Sequence, residues 1–146
     1  MTARVSSKLY SPELLGLATG LANFPLTGDL PLTSEARSRS CGSVIAIGLA
    51  LDDRGLVSGV GMKVSACAIG QASAALLALS IRGNNPGSVI LTAQGLAAWL
   101  AGEGELPAWP GIAALVPARD HPGRHGALLL PWKAASEALS SEAARG

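Results

Sequence analysis

Val44-Ile45-Ala46-Ile47-Gly48-Leu49-Ala50-Leu51, then Asp52-Asp53-Arg54-Gly55, then Leu56-Val57-Ser58-Gly59-Val60-Gly61-Met62-Lys63-Val64: this run decides the fold. Ile45, Ile47, Leu49 and Leu51 alternate with Ala46, Gly48 and Ala50, and that period of two predicts a strand with one bulky and one small face. Asp52 to Gly55 supplies turn chemistry, with Gly55 free to take a positive φ. Alternation resumes from Leu56 to Val64, with Val60, Met62 and Val64 on one side. Together the two runs predict a β-hairpin.

Downstream the period changes to that of a helix. Ile69, Ser73, Leu76 and Ser80, beside Ala72 and Leu79, repeat at about 3.6 residues, and Gly83 is a suitable stop. Asn84-Asn85-Pro86-Gly87 breaks the chain. A second helix, for which Ser88 is the expected cap, places Val89, Ala93, Leu96 and Leu100 on one face. Gly and Pro then interrupt residues 101 to 123, leaving room for a short helix at Ile112 to Val116. A final helix is expected from about Leu129 to Ala144, burying Leu128, Trp132, Ala135 and Leu139, with Pro131 tolerable only in its first turn. Upstream, a short helix should start near Ser11. The Gly-, Pro-, Ser- and Thr-rich segment at about 20–40 reads as a loop or partly ordered arm. No internal repeat is present. The order is that of an α+β domain, a small antiparallel sheet built on a hairpin and packed against several helices, with residues 1–146 forming one unit.

Composition narrows the function classes. The 146 residues are 49% hydrophobic and 14% charged, with a net charge of +1 and one Phe and one Tyr. A chain of this kind buries a core, and its scattered basic residues form no nucleic-acid footprint. The longest apolar runs, Val44 to Leu51 and Ala74 to Leu79, fall short of the roughly 18 to 20 residues of a membrane span. The N-terminus lacks a secretory pattern. Two cysteines make no disulfide framework, which points to a reducing, cytoplasmic compartment.

Those two cysteines are the chemistry-bearing residues. Cys41 begins Cys41-Gly42-Ser43 just before the first strand, and Cys67 precedes the helix that follows the hairpin. The N–H groups at a helix start favour a thiolate, the nucleophilic and metal-binding form, and Gly42 lets a ligand approach the backbone. Against this, free cysteines are commonly buried as small hydrophobes. His125, in His121-Pro122-Gly123-Arg124-His125-Gly126, is a further Zn or Fe ligand candidate, although loop histidines are more often solvated. Zn and Fe prefer four ligands, one more than Cys41, Cys67 and His125 supply. Asp52 and Asp53 are explained by the turn. There is no phosphate loop and no nucleophile elbow.

Over roughly residues 5 to 142 the sequence resembles the U-type iron–sulfur cluster assembly scaffolds, IscU, SufU and the N-terminal domain of NifU. The resemblance rests on Cys41-Gly42-Ser43, the turn Asp52 to Gly55, and Met62-Lys63-Val64-Ser65-Ala66-Cys67 leading into Ala68 to Ala75 and Ile81-Arg82-Gly83. Near the C-terminus, Arg124-His125-Gly126-Ala127-Leu128-Leu129-Leu130-Pro131-Trp132 is similar to the SufU-like Arg-x-x-Cys-Ala-x-Leu-Pro-Trp. It implies a SufE/NifU-like fold and a [2Fe–2S] cluster or iron, with zinc as the alternative, held on Cys41, Cys67 and His125. Water, a small molecule or a partner side chain would fill the fourth position. It also implies a cysteine desulfurase as sulfur donor and iron–sulfur acceptor proteins as recipients, and so a scaffold or carrier rather than an enzyme. The sequence departs from the family at Gly126, where the third cysteine falls, and at Ser43, where the family has Asp. Asp120 to Arg124 replaces the Leu-Pro-Pro-Val-Lys that IscU offers its chaperone. Gly126 and Ser43 favour a second function, a degenerate paralogue that keeps the fold, binds no cluster and acts as an interaction or regulatory module; a zinc-dependent persulfide acceptor is a third. A homodimer sharing ligands is a further possibility.

Overall fold

The computed structural model describes residues 10–39 and 42–145, with backbone alone from residue 141 onward. Strands β1 (Leu32–Arg37), β2 (Val44–Leu51) and β3 (Val57–Ser65) form an antiparallel sheet in the order β1-β2-β3. Helices α1 (Pro12–Gly20), α2 (Ala68–Ser80), α3 (Pro86–Leu100) and α4 (His125–Arg145) complete the fold with short 3-10 turns at Leu21–Asn23, Ile112–Asp120 and Pro122–Arg124. This is the expected α+β arrangement. Among the described residues no helix is long and apolar enough to cross a membrane.

The hairpin forms as its alternation predicts. Ile45, Ile47 and Leu49 stand opposite Val64, Met62 and Val60, and this bulky face packs into the core. The Asp52 carboxylate accepts the N–H groups of Arg54 (2.9 Å) and Leu56 (3.0 Å), and Gly55 takes φ 79°. A bulge at Ala50/Leu51 leaves Leu51 only partly buried.

The segment at 20–40 departs from the expected loop. Phe24 carbonyl accepts the Met62 N–H at 2.8 Å, Pro25 bridges to Met62, and Leu26 and Leu30 lie over the small face of the hairpin. Gly48 and Gly61 are cross-strand partners, and a Cβ on Gly48 would come within 2.8 Å of Leu30 Cβ. Leu32 to Arg37 then pair with Leu49 to Val44 as an edge strand. Backbone pairing to β2 stabilises this strand more than side-chain burial does. Only Leu32 is a large apolar residue, so the hydrophobic period that betrays a strand is faint.

Helix α2 is also more enclosed than an amphipathic repeat requires. Ile69, Gly70 and Ala72 to Ala78 are buried, whereas Leu79 is 55% exposed and drops out of the expected face. Helix α3 starts earlier than expected. Asn85, not Ser88, is its cap, because Pro86 is well suited to the first helical position and the Asn85 side chain accepts the Ser88 N–H at 2.8 Å. The short turn expected at Ile112 to Val116 extends to Asp120.

Helix α4 begins at His125, four residues before the expected start, so Pro131 lies in its interior rather than its first turn. A proline there removes the N–H that would reach the Ala127 carbonyl. The next carbonyl, that of Leu128, accepts the Ser73 hydroxyl from α2 at 2.6 Å. The buried Trp132 indole in turn donates to Ser73 Oγ at 3.0 Å. Trp109 stacks edge-on against Trp132 (4.9 Å between centroids, 85°) and donates to the Leu76 carbonyl at 2.8 Å. At Gly70 the two helices approach so closely that an added Cβ would lie 3.3 Å from the Ala127 carbonyl oxygen.

Ser73 therefore both donates and accepts in a fully buried position. Replacing it by Ala strands the Trp132 N–H, and a buried orphan donor costs about 1–3 kcal/mol. We expect Ser73→Ala to lower the urea-unfolding free energy by about 2 kcal/mol. Ser73→Ala should add much less in a Trp132→Phe background, and full additivity of the two changes would contradict the relay.

Candidate functional site

Cys67 is the N-cap residue of α2, with extended backbone (φ −66°, ψ 171°) and a side chain that makes no capping bond. The Gln71 side chain fixes the approach by donating to the Ala66 carbonyl at 2.9 Å. The half-buried Cys67 lines a cleft of about 290 Å³ with Gly42, Ser43, Ser65, Ala66, Gly123, Arg124 and Ala127. Three elements meet there. The Val44–Ser65 pairing brings the start of β2 beside the end of β3, and the entry to α4 closes the third side.

Cys41 lies outside the described residues. Its neighbour Gly42 has φ 72°, a left-handed conformation that disfavours any residue with a Cβ, and lines the Cys67 cleft with Ser43. The turn is tied by Ser38 N–H to the Ser43 carbonyl (2.9 Å) and Gly42 N–H to the Ser38 carbonyl (3.0 Å). The two residues that directly follow Cys41 in the sequence thus border the cleft that holds Cys67.

His125, the first residue of α4, does not line that cleft. Its Nε2 lies 2.8 Å from the Arg119 carbonyl oxygen. A carbonyl only accepts, so Nε2 carries the proton and Nδ1 is the ring nitrogen left for other chemistry. The bond ties the Ile112–Asp120 turn to α4. His121 caps that turn and lines no part of the Cys67 cleft.

Gly126 opens into a separate cleft of about 590 Å³, between Glu35 to Arg39, at and just beyond the end of β1, and Leu130, Lys133 and Glu137 of α4. Among the described residues no three His, Cys, Asp or Glu side chains converge as a metal set. Asp52 and Asp53 stay in the hairpin turn at the far end of β2. A third groove of about 450 Å³ between α3 and α4 contains neither thiol nor imidazole. Sequence patterning pointed to Cys67 through its place before a helix. It did not single out Arg124 or Ser65 as cleft residues, because they come together only by tertiary packing.

Two solved structures share this architecture over nearly the whole chain. A nitrogen-fixing NifU-like protein (N-terminal) from Brucella abortus superposes with TM-score 0.86 at 23% identity, covering 97% of this chain and 99% of that one. The chain has its fold. A second structure with this fold is named as an iron–sulfur cluster assembly scaffold protein for the SUF system, from the thermophile Fervidobacterium islandicum AW-1. It matches with TM-score 0.78 at 22% identity over 92% of this chain and 98% of its own. A hypothetical protein of known structure matches at TM-score 0.68 and 18% identity, covering 87% and 96%. No family model matches the chain, and no curated protein matches it. The NifU/SufU-type fold thus places Cys67 at a three-element corner and His125 in a strut beside it.

If His125 is that strut, its removal is felt without metal. We expect His125→Ala to lower the unfolding free energy of chelator-treated protein by about 1 kcal/mol, the usual worth of one such hydrogen bond. An unchanged urea midpoint would remove the structural role.

Proposed function

We propose that this chain acts in iron–sulfur cluster assembly as a carrier, receiving sulfur or a nascent cluster on Cys67 with Cys41, while a partner protein completes the coordination. The observation that supports this best is the cleft at the α2 N-terminus, where Cys67 faces Gly42 and Ser43 directly after Cys41 in a NifU/SufU-type fold. Thiolates bind both iron and sulfide-bridged clusters, and a cleft bounded, apart from Arg124, by small residues leaves room for such cargo. Iron and cluster are cargo here, so incomplete coordination by the chain itself suits release. The donor is a cysteine desulfurase and the recipients are iron–sulfur acceptor proteins, in keeping with the scaffold role for which the second structure is named. The compartment is the cytoplasm.

A second reading draws on Arg124 in the cleft and on the engaged Nε2 of His125. In it Cys67 receives sulfane sulfur. Its thiolate attacks the outer sulfur of a donor persulfide, the donor's S–S bond breaks, and the donor cysteine leaves as thiolate. No oxidant or reductant is consumed. Zinc on Cys41 and Cys67 would hold the thiols between transfers, with its remaining ligands supplied from outside the cleft, which His125 does not line.

Iron, zinc and acid-labile sulfide per chain, measured on anaerobically purified wild type, Cys41→Ser and Cys67→Ser, separate these readings. Comparable iron and sulfide, lost in both variants, is the expected result for the carrier. Zinc alone, lost in both, selects the sulfur-transfer reading. Protein that takes up neither metal nor sulfide under any reconstitution condition overturns both and leaves an interaction module.

A further inference from the structure

Arg124 is the one charged side chain among the described residues lining the Cys67 cleft. It stands at the end of the Pro122–Arg124 turn, directly before α4. Its Nη2 donates to the hydroxyl oxygen of Tyr10 at 3.2 Å, a contact between residues 114 positions apart. Tyr10 is the only tyrosine in the chain. Among the described residues no carboxylate pairs with this guanidinium; the ion pair found among them joins Arg37 to Glu35.

The identity of the partner matters. A carboxylate would hold Arg124 and cancel its charge, whereas a neutral phenol holds it and leaves the charge in force. Arginine has several free torsions, and a fixed anchor removes part of the entropy lost when it is oriented. The starts of α2 and α4 add their own positive ends on the same side.

We infer that Tyr10 is a positioning residue: it holds Arg124 at the wall of the Cys67 cleft, and the held guanidinium makes that cleft select negatively charged sulfur donors over neutral ones. The inference rests on Cys67 as the receiving thiol and names the charge of what reaches it, a persulfide anion or a compound of like charge.

The test uses the full chain with Cys41→Ser, so that Cys67 is its single thiol. The rate of Cys67 alkylation by iodoacetate (anionic) is divided by that with iodoacetamide (neutral) at one pH. The ratio cancels thiol reactivity and general access, which a merely structural role would alter for both reagents alike. Arg124→Ala, with Arg124→Gln alongside in case the first folds poorly, should lower the ratio about fivefold, the factor expected for one nearby charge screened by water. Tyr10→Phe should lower it about twofold, keeping the charge but freeing it, with no further fall when combined with Arg124→Ala. Half-molar salt should compress the wild-type ratio toward that of Arg124→Ala. A wild-type ratio in Tyr10→Phe, or an equal Tyr10→Phe effect in the Arg124→Ala background, overturns the positioning role. A ratio untouched by Arg124→Ala overturns the selectivity. None of these outcomes depends on metal or sulfide content, so failure here and failure of the carrier reading are separately visible.

Discussion

The Ser73 hydroxyl is the contact on which the helical layer turns. It lies on α2, the most enclosed helix, and joins the Trp132 indole to the Leu128 carbonyl on α4. A hydroxyl can donate once and accept, so one atom serves both needs. This relay permits a tryptophan in the core, whose indole N–H would otherwise be an unsatisfied polar group. With α4 seated, its first turn delivers Ala127, and the turn directly before it Arg124, to the Cys67 cleft. The site therefore inherits its geometry from a polar contact in the core.

The other face of the sheet depends on absence rather than on contact. Gly48 and Gly61 sit opposite each other in β2 and β3, and the missing side chains make the hollow that Leu26 and Leu30 occupy. The alternation of large and small residues in the sequence recorded this hollow plainly. What it could not show was the occupant, because Leu26 and Leu30 sit among Pro, Gly and Thr with no period of their own. The same blindness hid β1, whose inward residues Leu32, Ser34 and Ala36 carry little hydrophobic signal. Hairpin, turn and helix identities were legible because each rests on local chemistry. The edge strand and the extra turn of α4 were not, because the rest of the molecule stabilises them.

At the site, legibility divides in the same way. Cys67 could be placed from its position before a small-residue helix, and the structure puts it at a cleft. Arg124 drew notice only as part of a motif, and Tyr10 drew none, because their meeting spans most of the chain. His125 illustrates the limit of reading a residue type. Imidazole suits a soft metal, yet the nitrogen resolved by geometry is the one committed to a backbone carbonyl.

Gly126 and Ala127 explain why the corner has two clefts rather than one. Successive helical residues point about 100° apart, so Ala127 contributes to the Cys67 side while Gly126 opens toward the end of β1. The turn between β1 and β2 stands between them, Ser38 and Arg39 lining one cleft and Gly42 and Ser43 the other. In the sequence, Cys41 falls between Arg39 and Gly42. A side chain at position 126 would enter the β1-side cleft, and Gly126 leaves that side open. The chain can thus lack a thiol at position 126 and still present Cys67 on an intact support, the condition a carrier needs if a partner supplies the remaining coordination.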